Sequence, residues 1–265
     1  MKKYINFNYK IDSPYQQRAA NIKAAGFDGV FIYSQYQPRE YVKIIQDTGL
    51  KIETLHLPYK KFENGTLVDS RHVNVLWQNN IIGDQYVEDL INEIDFAYQN
   101  KIDTLIMHIT GGDTPPPISG IGLQRIAKIV KYCESLNLTL CLENLRRLEY
   151  LTYIFSQIES ENLKFCFDSG HANVMTHNVD TFPWDVFGNR LHCLHLNDNL
   201  GDHDKHLIPF NGNIDWSKVM EIIYSYNPNI NLTLEVRATQ EQRCISNETL
   251  YLENCYKSLC VLEKI

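Results

Sequence analysis

The sequence predicts an α/β protein folded as a single (β/α)8 TIM barrel over residues 1–265. Three observations carry that expectation. Strand-like and helix-like segments alternate along the whole chain, with eight strand candidates. Most of these strands are short and apolar on both faces, as buried parallel strands are. Six of the apolar runs end in an acid or an imidazole: Leu55-His56, Met107-His108, Leu142-Glu143, Phe167-Asp168, Leu194-His195 and Leu234-Glu235. An ionisable group at the end of a buried strand is costly unless something there uses it. Repeated around one sheet, the pattern describes a ring of ligands at one mouth of a barrel.

The elements follow in order. Strands are expected at residues 4–8, 29–33, 52–56, 104–108, 139–143, 164–168, 193–197 and 231–236. The first helix, 14–25, has Pro14 in its first turn and Gly26 just past its end, the usual placement of these two residues. A second, 39–47, stops before Gly49. Val87, Leu90, Ile91 and Ile94 recur at helical spacing within 84–98, and Leu151, Ile154 and Phe155 do so within 148–158. Segments 123–136 and 216–226 are similarly amphipathic. The stretch after Asp168 is weaker, with only a short helix at 184–187, and 248–262 closes the chain. Eight βα units in this length suit a TIM barrel. A doubly wound sheet would carry a glycine-rich phosphate turn after its first strand, and no Gly-x-Gly-x-x-Gly is present. Three longer loops, 60–80, 111–120 and 199–214, all follow strands. That is the side where barrel enzymes place their active sites.

Composition narrows the function. Hydrophobic residues make up 44% of the chain, enough for a sizeable core. No apolar run approaches the roughly 18 residues of a membrane span. The N-terminus lacks the apolar core of a signal peptide and reads as a first strand, so the expected compartment is the cytoplasm. A net charge of −7 is not the basic footprint of a nucleic-acid binder. The seven cysteines contain no Cys-x-x-Cys pair, and Cys141, Cys166 and Cys193 sit inside apolar runs, where cysteine packs as a small core residue.

Glu143, Asp168, His195 and Glu235 end four successive strands and form the inner candidate group. Three carboxylates and one imidazole suit a hard or borderline divalent ion such as Mn²⁺, Mg²⁺, Co²⁺ or Zn²⁺. Without an ion, three clustered carboxylates would raise one another's pKa. A bland alternative exists for each residue alone: a strand-end acid can pair with an arginine. A second tier comprises His56, His108, His171, Asp204 and His206. These residues suit a second or third ion, or substrate oxygens. His72, His177, His192 and His203 read as surface or packing residues. Arg237, two residues past Glu235, suits a sugar phosphate or carboxylate and equally an ion pair with a neighbouring acid. Asn197 and Asp198 are expected to orient His195. Gly212-Asn213 reads as a turn into a helix that also offers N–H groups to an anion. Phe7, Tyr33, Tyr59 and Phe210 either wall a sugar pocket or simply pack.

The runs Leu55-His56-Leu57-Pro58-Tyr59, Leu142-Glu143-Asn144, Phe167-Asp168-Ser169-Gly170-His171 and His195-Leu196-Asn197-Asp198 together resemble the xylose isomerase-like TIM barrels. That superfamily holds sugar isomerases, ketose 3-epimerases, inosose isomerases and dehydratases, and the endonuclease IV repair enzymes. In the epimerase and isomerase branch one divalent ion is held by Glu, Asp, His and Glu. The resemblance implies Glu143, Asp168, His195 and Glu235 here. In the endonuclease IV branch three zinc ions use a larger set, whose counterparts are His56, His108, Glu143, Asp168, His171, His195, Asp204, His206 and Glu235.

Two features favour the sugar branch. The chain is acidic, whereas a nuclease must follow a polyanion. The stretch Leu207-Ile208-Pro209-Phe210-Asn211-Gly212-Asn213-Ile214-Asp215-Trp216 resembles the sugar isomerase and epimerase loop. The expectation is therefore a metal-dependent isomerase or epimerase of a sugar or sugar phosphate, working through an enediolate. Glu143 and Glu235 would exchange the protons. The competing expectation is an abasic-site DNA endonuclease with a trinuclear zinc site. A barrel that only binds a sugar is a third reading. One ion is expected, with up to three under the nuclease reading, and self-association into a homo-oligomer stays open.

Overall fold

The computed structural model describes residues 1–176 and 179–265; His177 lies outside the described residues. In chain order the first elements are β1 (Lys3–Asn6), α1 (Tyr15–Ala24), β2 (Gly29–Tyr33), α2 (Val42–Asp47) and β3 (Lys51–His56). A hairpin of β4 (Lys61–Glu63) and β5 (Thr66–Asp69) follows, then α3 (Ile81–Gln99), β6 (Thr104–Met107), α4 (Gly120–Ser135) and β7 (Thr139–Glu143). The rest comprises α5 (Leu148–Gln157), β8 (Leu163–Asp168), α6 (Ser169–Thr176), α7 (Trp184–Phe187), β9 (Leu191–His195), α8 (Trp216–Tyr226), β10 (Leu232–Leu234) and α9 (Glu248–Leu262).

Eight strands form one sheet in the order β10-β1-β2-β3-β6-β7-β8-β9. The pairs β1–β10, β1–β2, β3–β6 and β6–β7 are parallel. The two ends of that order meet: Leu196 bridges Leu234 in parallel, with Leu196 N–H on the Thr233 carbonyl at 2.8 Å and Glu235 N–H on the Leu196 carbonyl at 3.0 Å. The result is a nearly closed (β/α)8 TIM barrel, as the alternation of elements predicts.

The chain packs as two compact units. One comprises Met1–Ile32, Pro38–Glu53 and Cys166–Ile265. Its core is made by the strand residues Ile5, Val30, Leu194 and Leu232 and by Ile22, Val219, Ile223, Leu252 and Leu259 from helices, all fully buried. The other comprises Tyr33–Gln37 and Thr54–Phe165. Its core joins Leu55, Leu105, Leu140 and Leu142 to Leu90, Ile94, Ile126, Ile129 and Ile154. Each such side chain contributes roughly 1.5–3 kcal/mol by leaving water.

Local chemistry explains where expectation and structure part. Two helices start three residues earlier than their apolar spacing suggests, because a cap fixes the start. The Asn80 side chain accepts from Gly83 N–H at 2.9 Å, and Ser119 Oγ from Gly122 N–H at 3.3 Å. These caps satisfy amide donors that the helix itself leaves without acceptors. The loop at 60–80 is not plain coil; it holds the β4–β5 hairpin and a 3-10 turn, His72–Trp77. Buried Arg125 holds that turn. Its guanidinium donates to the carbonyls of Val75, Leu76, Gln78 and Asn80 and to Asp84 Oδ1. The weak segment after Asp168 forms α6. Among the described residues, no helix is long and apolar enough to cross a membrane.

Candidate metal centre

The second unit brings His56, His108 and Glu143 together. His56 ends β3, Glu143 ends β7, and His108 follows β6 by one residue. Each offers a ligand atom within 4.8 Å of the others. His56 Nε2 lies 3.3 Å and His108 Nε2 3.1 Å from the same oxygen, Oε2 of Glu143. His56 Nδ1 is 2.8 Å from the Leu57 carbonyl. A carbonyl only accepts, so Nδ1 carries its proton there. Nε2 then turns a lone pair toward a carboxylate unless the ring is doubly protonated. A cation between them, proton or metal, resolves the conflict, and the donor set fits a divalent ion. Aromatic rings steady the imidazoles: Tyr59 lies 4.2 Å from His108 and Tyr33 5.3 Å from His56, centroid to centroid.

The first unit brings Asp168, His195 and Glu235 together, again with ligand atoms within 4.8 Å of one another. Asp168 ends β8, His195 ends β9, and Glu235 follows β10 by one residue. All three are buried. His195 Nδ1 lies 3.2 Å from Glu235 Oε2. The His195 ring stacks on Phe31 with centroids 4.5 Å apart. Asp168 is held at both oxygens: His171 N–H donates to Oδ1 at 2.6 Å and Asn197 Nδ2 to Oδ2 at 3.0 Å. Ser169 and Asn197 are tied reciprocally through Ser169 Oγ, which donates to the Asn197 carbonyl at 2.7 Å and accepts from its N–H at 3.0 Å. Two carboxylates and an imidazole so confined also fit one divalent ion.

Beside this trio stands an outer group. Asp204 Oδ2 is 2.8 Å from His206 Nε2 and 3.6 Å from His171 Nε2. Burial opposes ionisation of Asp204, but the His206 and His171 imidazoles outweigh it and hold the carboxyl well below the usual range. His206 Nδ1 donates to the Glu235 carbonyl at 2.9 Å, so the outer loop is fastened to the end of β10.

Two expectations need correcting, and for Phe7 the packing alternative holds. Asn197 and Asp198 do not orient His195. Asn197 holds Asp168, and Asp198 shapes the loop, accepting from the N–H groups of Asn199, Phe210 and Ile214 and from Trp216 Nε1. The turn at Gly212-Asn213 is not an anion cradle. A Cβ on Gly212 would sit 2.1 Å from Asp198 Oδ1, and Asn213 N–H already donates to the Asn199 carbonyl. Phe7 is core: it is fully buried and stacks on Tyr41 with centroids 4.8 Å apart. Sequence reading missed two contributors, Phe31 and Gly170. The latter leaves no room for a side chain, since a Cβ there would lie 1.9 Å from Asn197 Oδ1. Neither residue carries a chemical signal in the sequence.

The profile of the family described as xylose isomerase-like TIM barrel matches residues 19–255. The chain belongs to that family. Solved structures similar to this xylose isomerase-like barrel include a D-tagatose 3-epimerase-like protein, 21% identical with a TM-score of 0.74, covering 100% of this chain and 99% of the other. The D-psicose 3-epimerase of Clostridium cellulolyticum H10 with D-tagatose is 16% identical with a TM-score of 0.75, again covering 100% and 99%. The 3-keto-D-glucoside 4-epimerase YcjR of E. coli is 16% identical with a TM-score of 0.69, covering 100% of both chains. At these identities the likeness establishes the fold alone. A protein of Sinorhizobium fredii (strain NBRC 101917 / NGR234), named "Uncharacterized protein y4fM", is 26% identical over 192 residues, 68% of this chain. The chain spans 60% of the length of that curated relative.

Proposed function

We propose that this xylose isomerase-like barrel is a divalent-metal-dependent sugar epimerase or isomerase, with one ion held by Glu143, Asp168, His195 and Glu235. The observation that carries the reading is the buried trio of Asp168, His195 and Glu235 at consecutive strand ends of the first unit. Glu143, the buried end of β7 in the other unit, supplies the fourth ligand in this reading. That the similar structures include two sugar epimerases and a D-tagatose 3-epimerase-like protein supports the substrate class.

When bound, a divalent ion supplies Lewis acidity toward a substrate carbonyl and its neighbouring hydroxyl. The chain's own residues do the rest. One of Glu143 and Glu235 removes the proton from the carbon beside the carbonyl, leaving an enediolate. The other returns a proton to the opposite face, which inverts the centre. Return to the neighbouring carbon on the same face gives aldose–ketose isomerisation. Asn197 and the His171 N–H keep Asp168 from swinging, so the acid stays a ligand rather than a competing base. The test is deuterium uptake from D₂O into a ketose panel with Mn²⁺ present. Exchange at the carbon beside the carbonyl is expected; silence across the panel defeats the reading.

A second reading, an abasic-site endonuclease with three zinc ions, draws on the outer group. His171, Asp204 and His206 gather on one carboxylate oxygen, and His56 and His108 gather on Glu143. The net charge of −7 weighs against a polyanionic substrate. Zinc content near three per chain, with cleavage of an abasic duplex, would move the assignment there.

A further inference from the structure

The first unit carries cations that proton transfer at Glu143 and Glu235 does not use. The ends of β1 and β10 are stitched together. Asn6 Nδ2 donates to the Val236 carbonyl at 2.9 Å, and its Oδ1 accepts from Val236 N–H at 2.9 Å. Further out, Ala238 N–H donates to the Tyr9 carbonyl at 2.8 Å. The stitch sets Lys10 beside Arg237. Arg243 folds back on the same segment, its Nε donating to the Ala238 carbonyl at 3.3 Å. A Thr239–Gln242 capping box holds that turn. Arg237 N–H donates to the His206 carbonyl at 2.8 Å. Lys10 therefore stands on the segment past β1, and Arg237 and Arg243 on the segment past β10, which also carries Glu235.

Their electrostatics are unusual for this chain. The net charge is −7, yet among the described residues neither Lys10 nor Arg243 has an ion pair. Partial burial, followed by repulsion from Arg237 and Arg243, draws the Lys10 ammonium below the ordinary lysine value. Lys10 and Arg243 repel each other unless an anion comes between them, and a guanidinium group matches the geometry of a phosphate.

We propose that Lys10, Arg237 and Arg243 bind the phosphate of a phosphorylated ketose, which makes the substrate a sugar phosphate rather than a free sugar. The proposal rests on the epimerase reading for the sugar end and on the cation group for the anionic end. Arg237 is the inner contact, fastened to the His206 loop. Lys10 and Arg243 close on the phosphate from the exposed side.

Calorimetry at fixed ionic strength separates the two ends. The probes are inorganic phosphate, D-fructose 6-phosphate, D-fructose and D-fructuronate, alongside turnover assays on the sugars. The wild-type chain is expected to bind inorganic phosphate, and to bind the phosphate ester at least about tenfold tighter than D-fructose. A Lys10→Gln/Arg243→Gln double variant should lose about tenfold or more on the ester. The charge-keeping pair Lys10→Arg/Arg243→Lys should retain that preference. No preference for the ester over D-fructose in the wild type overturns the proposal, even if D-fructose is epimerised. Tighter binding of D-fructuronate than of the ester overturns it in favour of a carboxylate. Phosphate binding that the double variant abolishes, without turnover of any sugar, supports the cation site and removes the epimerase reading.

Discussion

Asn197 donates its Nδ2 to Oδ2 of Asp168 at 3.0 Å, while its own N–H and carbonyl are tied to Ser169. The carboxylate at the end of β8 is therefore aimed by a residue two positions past the end of β9. Partners of this kind typically govern ion affinity about 10–100-fold when removed. Asn197→Ala should weaken Mn²⁺ binding by about that factor, measured by titration calorimetry. Wild-type affinity in the variant would mean that Asp168 is not a ligand, or that Asn197 does not position it.

Gly170 makes that contact geometrically feasible. A Cβ at this position would lie 1.9 Å from Asn197 Oδ1, a clash that forces Asn197 or the start of α6 aside. Gly170→Ala should lower unfolding stability by about 1–3 kcal/mol, the usual cost of overpacking, and weaken Mn²⁺ binding in the same direction as Asn197→Ala. Urea denaturation reads the first effect; an unchanged midpoint would show that the packing gives way freely.

Glu143 and Glu235 hold different surroundings, yet losing either should have the same consequence. Glu143 faces two imidazole nitrogens, whereas Glu235 faces His195 and carries the outer loop through its backbone carbonyl. Glu143→Gln and Glu235→Gln should each slow deuterium exchange by about 10²–10⁴-fold, the usual contribution of a positioned acid or base. Each should also change metal content, because an amide is a poorer ligand than a carboxylate. Exchange at the wild-type rate in either variant removes that residue from the proton path.

Glu53 sets a pH dependence away from the candidate centre's carboxylates. Burial pushes its carboxyl from 4.5 up to about 7, while the Thr233 hydroxyl, donating to Oε2 at 2.5 Å, draws it part of the way back. The unfolded chain releases this proton near pH 4.5 and the folded chain keeps it to about 7. Between those values the folded state binds more protons, so stability falls as pH rises through the window and stays lower above it. Glu53→Gln keeps the shape and removes the charge. Its Tm should match the wild type at pH 4 and exceed it at pH 8. A difference that is the same at both pH values would show that ionisation of Glu53 is not its cause.

Much of this could be read along the chain. The apolar runs ending in His56, Glu143, Asp168 and His195 form strands that end at those residues. The loss was mostly at edges and in loops. Ile81 and Gly120 open helices because Asn80 and Ser119 cap them, and a single polar side chain leaves no trace in apolar periodicity. The β4–β5 hairpin was hidden because Leu67 and Val68 are exposed rather than alternating with a buried face. Arg237 was legible as a cation near Glu235, but Lys10 and Arg243 were not candidates at all. Their role depends on backbone hydrogen bonds such as that of Asn6 with Val236, 230 positions away.

The eight strands of the main sheet, their alternation with helices and the residue types at their ends were legible along the chain. Those follow from hydrophobic spacing and from the cost of burying an ionisable group, both local properties. Folding alone chose the partners: His56 with Glu143 across 87 positions, Asn197 with Asp168 rather than with His195, and Lys10 beside Arg237. Partnership is a matter of a few ångströms, and it is the lateral order of the strands in the sheet, not any single segment, that brings those groups within reach.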